Sequence, residues 1–91
     1  MARFITYHNA PGVNLDTLED LRQKVNDVAK SQPETIYYRS WVNLSKGKIM
    51  SECDALDSAS LRRWFNDLGL PVVEISEMDL IGQAGMTTLA P

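Results

Sequence analysis

One cysteine and one histidine in 91 residues leave this chain short of the side chains that most often build metal centres, disulfides and nucleophilic sites. A lone Cys53 cannot close an internal disulfide, so the fold does not depend on oxidation. No apolar run approaches the roughly 20 residues needed to span a bilayer as a helix, which argues against a membrane role. Positive charge is also scarce: nine Lys and Arg against twelve Asp and Glu give a formal charge of −3. Such a chain has no basic surface able to displace counterions from a phosphate backbone, and nucleic acid is excluded as a partner. In that setting Arg62 and Arg63 beside Trp64 read as a solvated helix flank, and Tyr37-Tyr38 as one core and one interface aromatic rather than a base-stacking platform. Nucleophile elbow, glycine-rich phosphate loop, CxxC and HExxH patterns are all missing. No secretory leader pattern precedes the first apolar stretch, and the expected location is cytoplasmic.

What is present is a well-punctuated alternation of periods. Thr35 to Leu44 is rich in β-branched and aromatic residues, Ser45-Lys46-Gly47-Lys48 supplies a turn, and Ile49 to Ala55 runs back antiparallel. Asp57 stands at a helix N-cap, Leu61, Trp64, Phe65 and Leu68 share one helical face, and Gly69 with Pro71 stops that helix. Val72 to Ile81 returns to strand chemistry. In the first half, Arg3 to His8 reads as a strand and Asn9-Ala10-Pro11-Gly12 as a loop. A helix follows, with Asp16 and Glu19 as a capping box and Leu18, Leu21, Val25 and Val28 at helical spacing until Ser31-Gln32-Pro33.

The order is βαββαβ, which predicts an α+β, ferredoxin-like domain: a four-stranded antiparallel sheet ordered 4-1-3-2 with both helices on one face. Strands are expected near 2–9, 35–44, 48–55 and 72–81, and helices near 15–31 and 58–68. One domain, residues 1–81, fits a chain of this length, followed by an extended tail over 82–91 with Met86 and Leu89 as anchors on a partner.

Alternation along the strands sorts residues into two rows. The first, Ile5, Tyr7, Ile36, Tyr38, Val42, Ile49, Cys53, Val73 and Ile75, suits burial under the helices. The second, Phe4, Thr6, His8, Tyr37, Arg39, Trp41, Met50, Glu52, Glu74, Ser76 and Met78, is expected on the open face. Phe4, Tyr37, Trp41, Met50 and Met78 would form an apolar patch of a few hundred Å² there, large enough for a homodimer interface or a shared cleft, as in dimeric α+β barrels.

Ser40-Trp41-Val42, Lys48 before the second hairpin strand, Asp54-Ala55 at its end, Gly69-Leu70-Pro71, Ile75 with Glu77, and Thr87-Thr88 in the tail together resemble a family of small bacterial nickel-responsive or nickel-binding ferredoxin-like proteins. The resemblance covers roughly residues 35 to 88. It implies the ferredoxin-like fold, a dimer, and nickel or another divalent metal as ligand. The family commonly has a cysteine where this chain has Ser51 and a histidine in the second helix where it has Trp64. Cys53, two residues on and on the same strand face as Ser51, is the available substitute.

Candidate chemistry gathers on the open row. A borderline metal wants imidazole, thiolate or several carboxylates in defined geometry, so the metal candidates are His8, Glu52, Glu74 and Cys53, although parity puts His8 and Cys53 on opposite faces. A small-molecule cleft would be lined by His8, Tyr37, Arg39, Trp41, Glu52 and Glu74. In a cofactor-free enzyme of the monooxygenase or isomerase type, His8 would be the base, Arg39 the anchor for an anionic group and Trp41 an apolar wall. Beside these stand plainer readings: His8 as a strand-end residue, Cys53 as a buried thiol packing like a small hydrophobe, and Arg39 with Glu52 as a cross-strand ion pair. A third class is a pure interaction protein whose open face makes only the dimer.

Overall fold

Strand and helix order in the computed structural model follows the periodicity of the chain, and the structure describes residues 1–79. The elements are β1 (Ala2–Asn9), α1 (Leu15–Ser31), β2 (Ile36–Asn43), β3 (Lys48–Ala55), α2 (Ser58–Asp67) and β4 (Glu74–Glu77). The sheet is ordered β2-β3-β1-β4 and antiparallel throughout, a ferredoxin-like α+β arrangement. β4 is shorter than its sequence pattern suggests. Its pairing with β1 is nonetheless extended by Val73 N–H donating to the Tyr7 carbonyl at 2.7 Å and Met78 N–H donating to the Arg3 carbonyl at 2.9 Å. The end of the expected fourth strand and the 82–91 tail lie outside the described residues.

Local chemistry explains the boundaries. The first helix is capped by Asn14 rather than by Asp16: the Asn14 side chain accepts from Thr17 N–H at 3.0 Å, and Asn14 N–H donates to Thr17 Oγ1 at 2.8 Å. A short amide acceptor two residues earlier satisfies the free N–H groups that the Asp16/Glu19 pair would have served. Asp57 caps α2 as the sequence indicates, accepting from Ser60 N–H at 2.7 Å. In the hairpin, Gly47 has φ +63° and its missing Cβ would stand 2.8 Å from the Ala10 carbonyl oxygen, so only glycine permits the loop after β1 to seat on the turn.

The core lies between the sheet and α2, where Leu61, Trp64, Phe65 and Leu68 meet Phe4, Ile49, Cys53 and Ala55. Ring packing is continuous: Tyr37 stacks on Trp64 with centroids 5.9 Å apart, Trp64 meets Phe65 edge-on at 5.0 Å, and Phe65 lies 4.3 Å from the His8 ring.

The rows drawn from alternation need correction in two strands. In β1 it is Phe4, Thr6 and His8 that are buried beneath the helices, while Tyr7 is exposed. The physical reason is that Arg3 shares the row of Ile5 and Tyr7 and must reach Glu52 and Asp54 on the open face, whereas Thr6 and His8 satisfy each other internally. In β2 an irregularity between Tyr37 and Arg39 places Tyr37 opposite Cys53 but Arg39 opposite Glu52. That extra residue reverses parity, so Tyr37 turns inward while Ile36 and Tyr38 are exposed. Val73 is exposed as well. Phe4 and Tyr37 therefore do not belong to the open apolar patch, which consists instead of Ile5, Tyr7, Trp41 and Met50, with Met78 at its margin.

Candidate functional site

The helix-facing side of the sheet carries more polar groups than a core of this size needs. Thr6, His8 and Ser51 are all at most 1% exposed. Thr6 Oγ1 and His8 Nε2 are 2.7 Å apart, and His8 Nδ1 lies 3.1 Å from the Leu70 carbonyl and 3.2 Å from that of Pro71. Two carbonyls can only accept, so Nδ1 carries the proton and Nε2 accepts from the Thr6 hydroxyl. Burial lowers the His8 pKa, opposed by those two carbonyls. His8 thus ties β1 to the segment leaving α2, as a neutral, fully engaged residue.

A second polar group is a chain of three hydroxyls. Ser40 stands directly opposite Ser51 across the hairpin. Their oxygens are 2.6 Å apart, and Tyr37 Oη lies 2.5 Å from Ser40 Oγ. Burial pushes the Tyr37 phenol up, so it remains protonated at neutral pH. Three hydroxyl protons serve two internal bonds, leaving one donor and several lone pairs free.

These hydroxyls form part of the lining of a cavity of about 310 Å³ between α1, α2 and the sheet. Its apolar wall includes Leu18, Leu21, Val25, Val42, Ile49 and Phe65, and Arg22 and Asn26 of α1 stand at its rim. The cavity exists because α1 is a loose cover: none of its 17 residues is buried. An adjoining cavity of about 380 Å³ runs under the first turns of α1 toward Gly69 and shares Leu21, Ile49, Leu68 and Leu70 with the first.

The open face is organised differently. Arg3 bridges Glu52 at 2.5 Å and Asp54 at 2.6 Å, Arg39 approaches Glu52 at 3.2 Å, and Tyr38 donates to Asp54 at 2.6 Å while its ring lies under the Arg3 guanidinium. The hydrogen bond from Arg3 holds the Asp54 carboxyl below the ordinary range. Toward the other end of the same face Tyr7, Trp41 and Met50 line a shallow apolar recess.

The sequence-derived site residues therefore fall into three places. Arg39, Trp41, Glu52 and Glu74 are on the open face, Tyr37 is at the cavity floor, and His8 and Cys53 are in the core. His8 and Cys53 share the helix-facing side, correcting the parity argument. They stay apart nevertheless: His8 pairs with Ile49 and Phe4 with Cys53, and positions 49 and 53 are about 13 Å apart along a strand. Missed by the sequence reading were Ser40, Thr6 and the α1 wall. The hairpin register fixed by the Gly47 turn was the available signal for Ser40, since it sets that residue across from Ser51.

The family described as nickel-responsive protein SCO4226-like matches residues 4–78. This chain belongs to that family. The crystal structure of SCO4226 from Streptomyces coelicolor A3(2) is similar in fold, with a TM-score of 0.76 at 22% identity, covering 87% of this chain and 98% of that one. No curated protein matches.

Among the described residues of this SCO4226-like chain, no three His, Cys, Asp or Glu side chains converge as a metal centre would require. Both His8 nitrogens are engaged. Cys53 is inaccessible and its thiol is pushed up to about 12, chiefly by burial and then by Asp54 and Glu52. Glu52 is held by two arginines. The positions at which the family resemblance places cysteine and histidine are Ser51, linked to Tyr37 through Ser40, and Trp64, which stacks on Tyr37. They carry a neutral hydroxyl and an indole there, and these do not fit a nickel ion.

Proposed function

We propose that this chain is a small-molecule binding protein whose ligand occupies the cavity beneath α1. The observation that carries this reading is a 310 Å³ space bounded by a helix with no buried residue, over a floor bearing linked hydroxyls. That volume lies at the lower end of ordinary ligand pockets, about 300–1,000 Å³, and joins an apolar wall to a few convergent polar groups. A cover that is not part of the core can open to admit a ligand at little cost to the rest of the fold. The test is to fill the space: Val25→Phe should raise the unfolding midpoint of the free protein and abolish ligand-induced stabilisation in a small-molecule screen. A destabilised Val25→Phe that still responds to ligand would place binding elsewhere.

Nickel enters through the family and has no donor set among the described residues. Calorimetric titration of metal-free protein should give no saturable nickel heat, and His8→Ala and Cys53→Ser should leave the trace unchanged. The enzymatic reading with His8 as base has no support from a histidine whose two nitrogens are occupied away from the cavity.

The open face supports a homodimer. Trp41 is 49% exposed and Tyr7 39%, and with Met50 they line an apolar recess beside the internally paired charges of Arg3, Arg39, Glu52 and Asp54. Light scattering should give twice the chain mass, and Trp41→Glu should return it to the monomer value.

A further inference from the structure

We infer that the cavity beneath α1 selects an uncharged, mainly apolar organic molecule bearing one hydroxyl or carbonyl group, and rejects carboxylates and divalent cations. This rests on the cavity being a ligand site, as proposed above. Size sets the first limit. A dry cavity of about 150 Å³ holds benzene, so 310 Å³ accommodates a compact body of roughly ten to fourteen heavy atoms with its polar group at one end.

Charge decides the class. Every polar group on the floor is a neutral hydroxyl: Tyr37, Ser40 and Ser51. The cation nearest the cavity, Arg22, is turned to its own helix neighbour, donating to Glu19 from Nε at 3.1 Å and from a terminal nitrogen at 2.5 Å, with its side chain 65% exposed. The acids Glu52 and Asp54 belong to the opposite face, where Arg3 neutralises them. A ligand carboxylate on this floor would lose much of its water and meet no charge deeper than Arg22 at the rim, which is costly against an apolar wall. A divalent cation would find only weak, neutral oxygen donors.

The hydroxyl chain is also ambidextrous. With two internal bonds among three hydroxyls, the chain can be oriented either way, so its free proton can appear at either end while the other end offers a lone pair. A ligand hydroxyl or a ligand carbonyl can therefore be met without moving a heavy atom. Ser40 is the hinge of this arrangement, since it bonds both neighbours.

The test compares 4-propylphenol, propylbenzene and 4-propylbenzoate at pH 7.5, where the first two are neutral and the third is ionised. Affinity is read by calorimetry, and the site by amide shifts at Val25 and Ser51. The phenol should bind at least tenfold more tightly than either analogue, and Ser40→Ala should cut its advantage over propylbenzene below threefold. Nickel chloride should cause no shift at these amides. If propylbenzene binds as tightly as the phenol, or the benzoate binds best, the inference on ligand class is overturned and the binding cavity stands. If none of the three binds, the cavity reading falls with it. The wild-type affinity ratios decide the matter should Ser40→Ala fail to fold.

Discussion

Two helices cover the same face of one sheet and contribute to it in opposite ways. α2 has ten residues, of which Ser60, Leu61, Trp64 and Phe65 are buried; α1 has seventeen and buries none. Both are amphipathic by sequence, with apolar residues at helical spacing, so the apolar stripe does not distinguish them. What differs is the bulk on each stripe and what lies beneath. α2 presents indole and phenyl rings that reach the sheet and interlock with Tyr37 and His8. α1 presents Leu and Val over a floor where Ser40 and Ser51 are too small to fill the gap. The short helix builds the core, and the long one roofs a cavity.

The largest difference between the helices should come from truncating one residue on each. Trp64→Ala removes a fully buried ring system and should cost about 3–5 kcal/mol, enough to unfold most of a marginally stable domain. Leu21→Ala, on the half-buried stripe of α1, should cost on the order of 1 kcal/mol, because part of the side chain is already in water and the space beneath it is already empty. Urea denaturation of both variants gives the ratio. Equal losses would mean that α1 is as much core as α2.

His8 supplies the next largest effect and bears on the junction between α2 and the sheet. Its folded-state pKa is depressed because burial penalises the charged ring. The folded state therefore binds fewer protons, and the stabilisation is complete above the unfolded value of about 6.5 and is lost as pH falls from there toward the folded pKa. Carboxylates with lowered pKa, Asp54 and Asp57 among them, lose their contribution only near and below their ordinary range of about 4. Between pH 6.5 and 5 the single histidine thus governs the slope. A denaturation series over that interval should show falling stability in the wild type and a flat profile in His8→Phe. That variant should also be weaker at pH 7.5 by about 1–3 kcal/mol, because Thr6 and the Leu70 carbonyl lose their partner in a buried site.

How far the sequence shows this division depends on which physical rule is in play. Capping and helix-stop chemistry are local, and Asp57, Gly69 and Pro71 bound α2 where the structure has it; the βαββαβ order follows from signals of that kind. Face assignment is not local. In β1 both alternating rows mix apolar and polar residues, Ile5 and Tyr7 with Arg3 against Phe4 with Thr6 and His8. The choice between them turns on ion pairs to positions 52 and 54 that no periodicity reveals. The bulge at Tyr37 and Arg39 similarly has no glycine to announce it. The site was the least legible part, since a cavity is a distance between elements. Tyr37 and Ser51 can be singled out from sequence, but their meeting through Ser40 depends on hairpin register and on the inward turn of Tyr37.

Native-state amide exchange should separate the two helices without any substitution. A roof with no buried residue should open by local fluctuation, and the central amides of α1 should exchange at least tenfold faster than those of α2, which should follow global unfolding. Binding of a cavity ligand should slow α1 and leave α2 nearly unchanged. Uniform protection across both helices would show that they open as one unit, and the cavity would then lack an independent gate.

The smallest effect separates the two helix caps. Asn14 caps α1 through a reciprocal pair of bonds with Thr17, and Asp57 caps α2 through Ser60 N–H. Each cap satisfies one of the N–H groups left free at a helix start, and loss of an Asn cap ordinarily costs about 1 kcal/mol of helix stability. Where that loss appears depends on whether the helix unfolds alone or with the domain. α2 is embedded in the core, so Asp57→Ala should lower the global unfolding midpoint directly. α1 buries no residue, so Asn14→Ala should be spent on the local equilibrium. Exchange across its first two turns should accelerate about fivefold, the factor that ~1 kcal/mol corresponds to at room temperature, while the midpoint moves by less than in Asp57→Ala. A larger midpoint shift in Asn14→Ala, with α1 exchange unaltered, would place α1 inside the cooperative core and remove the distinction between roof and foundation.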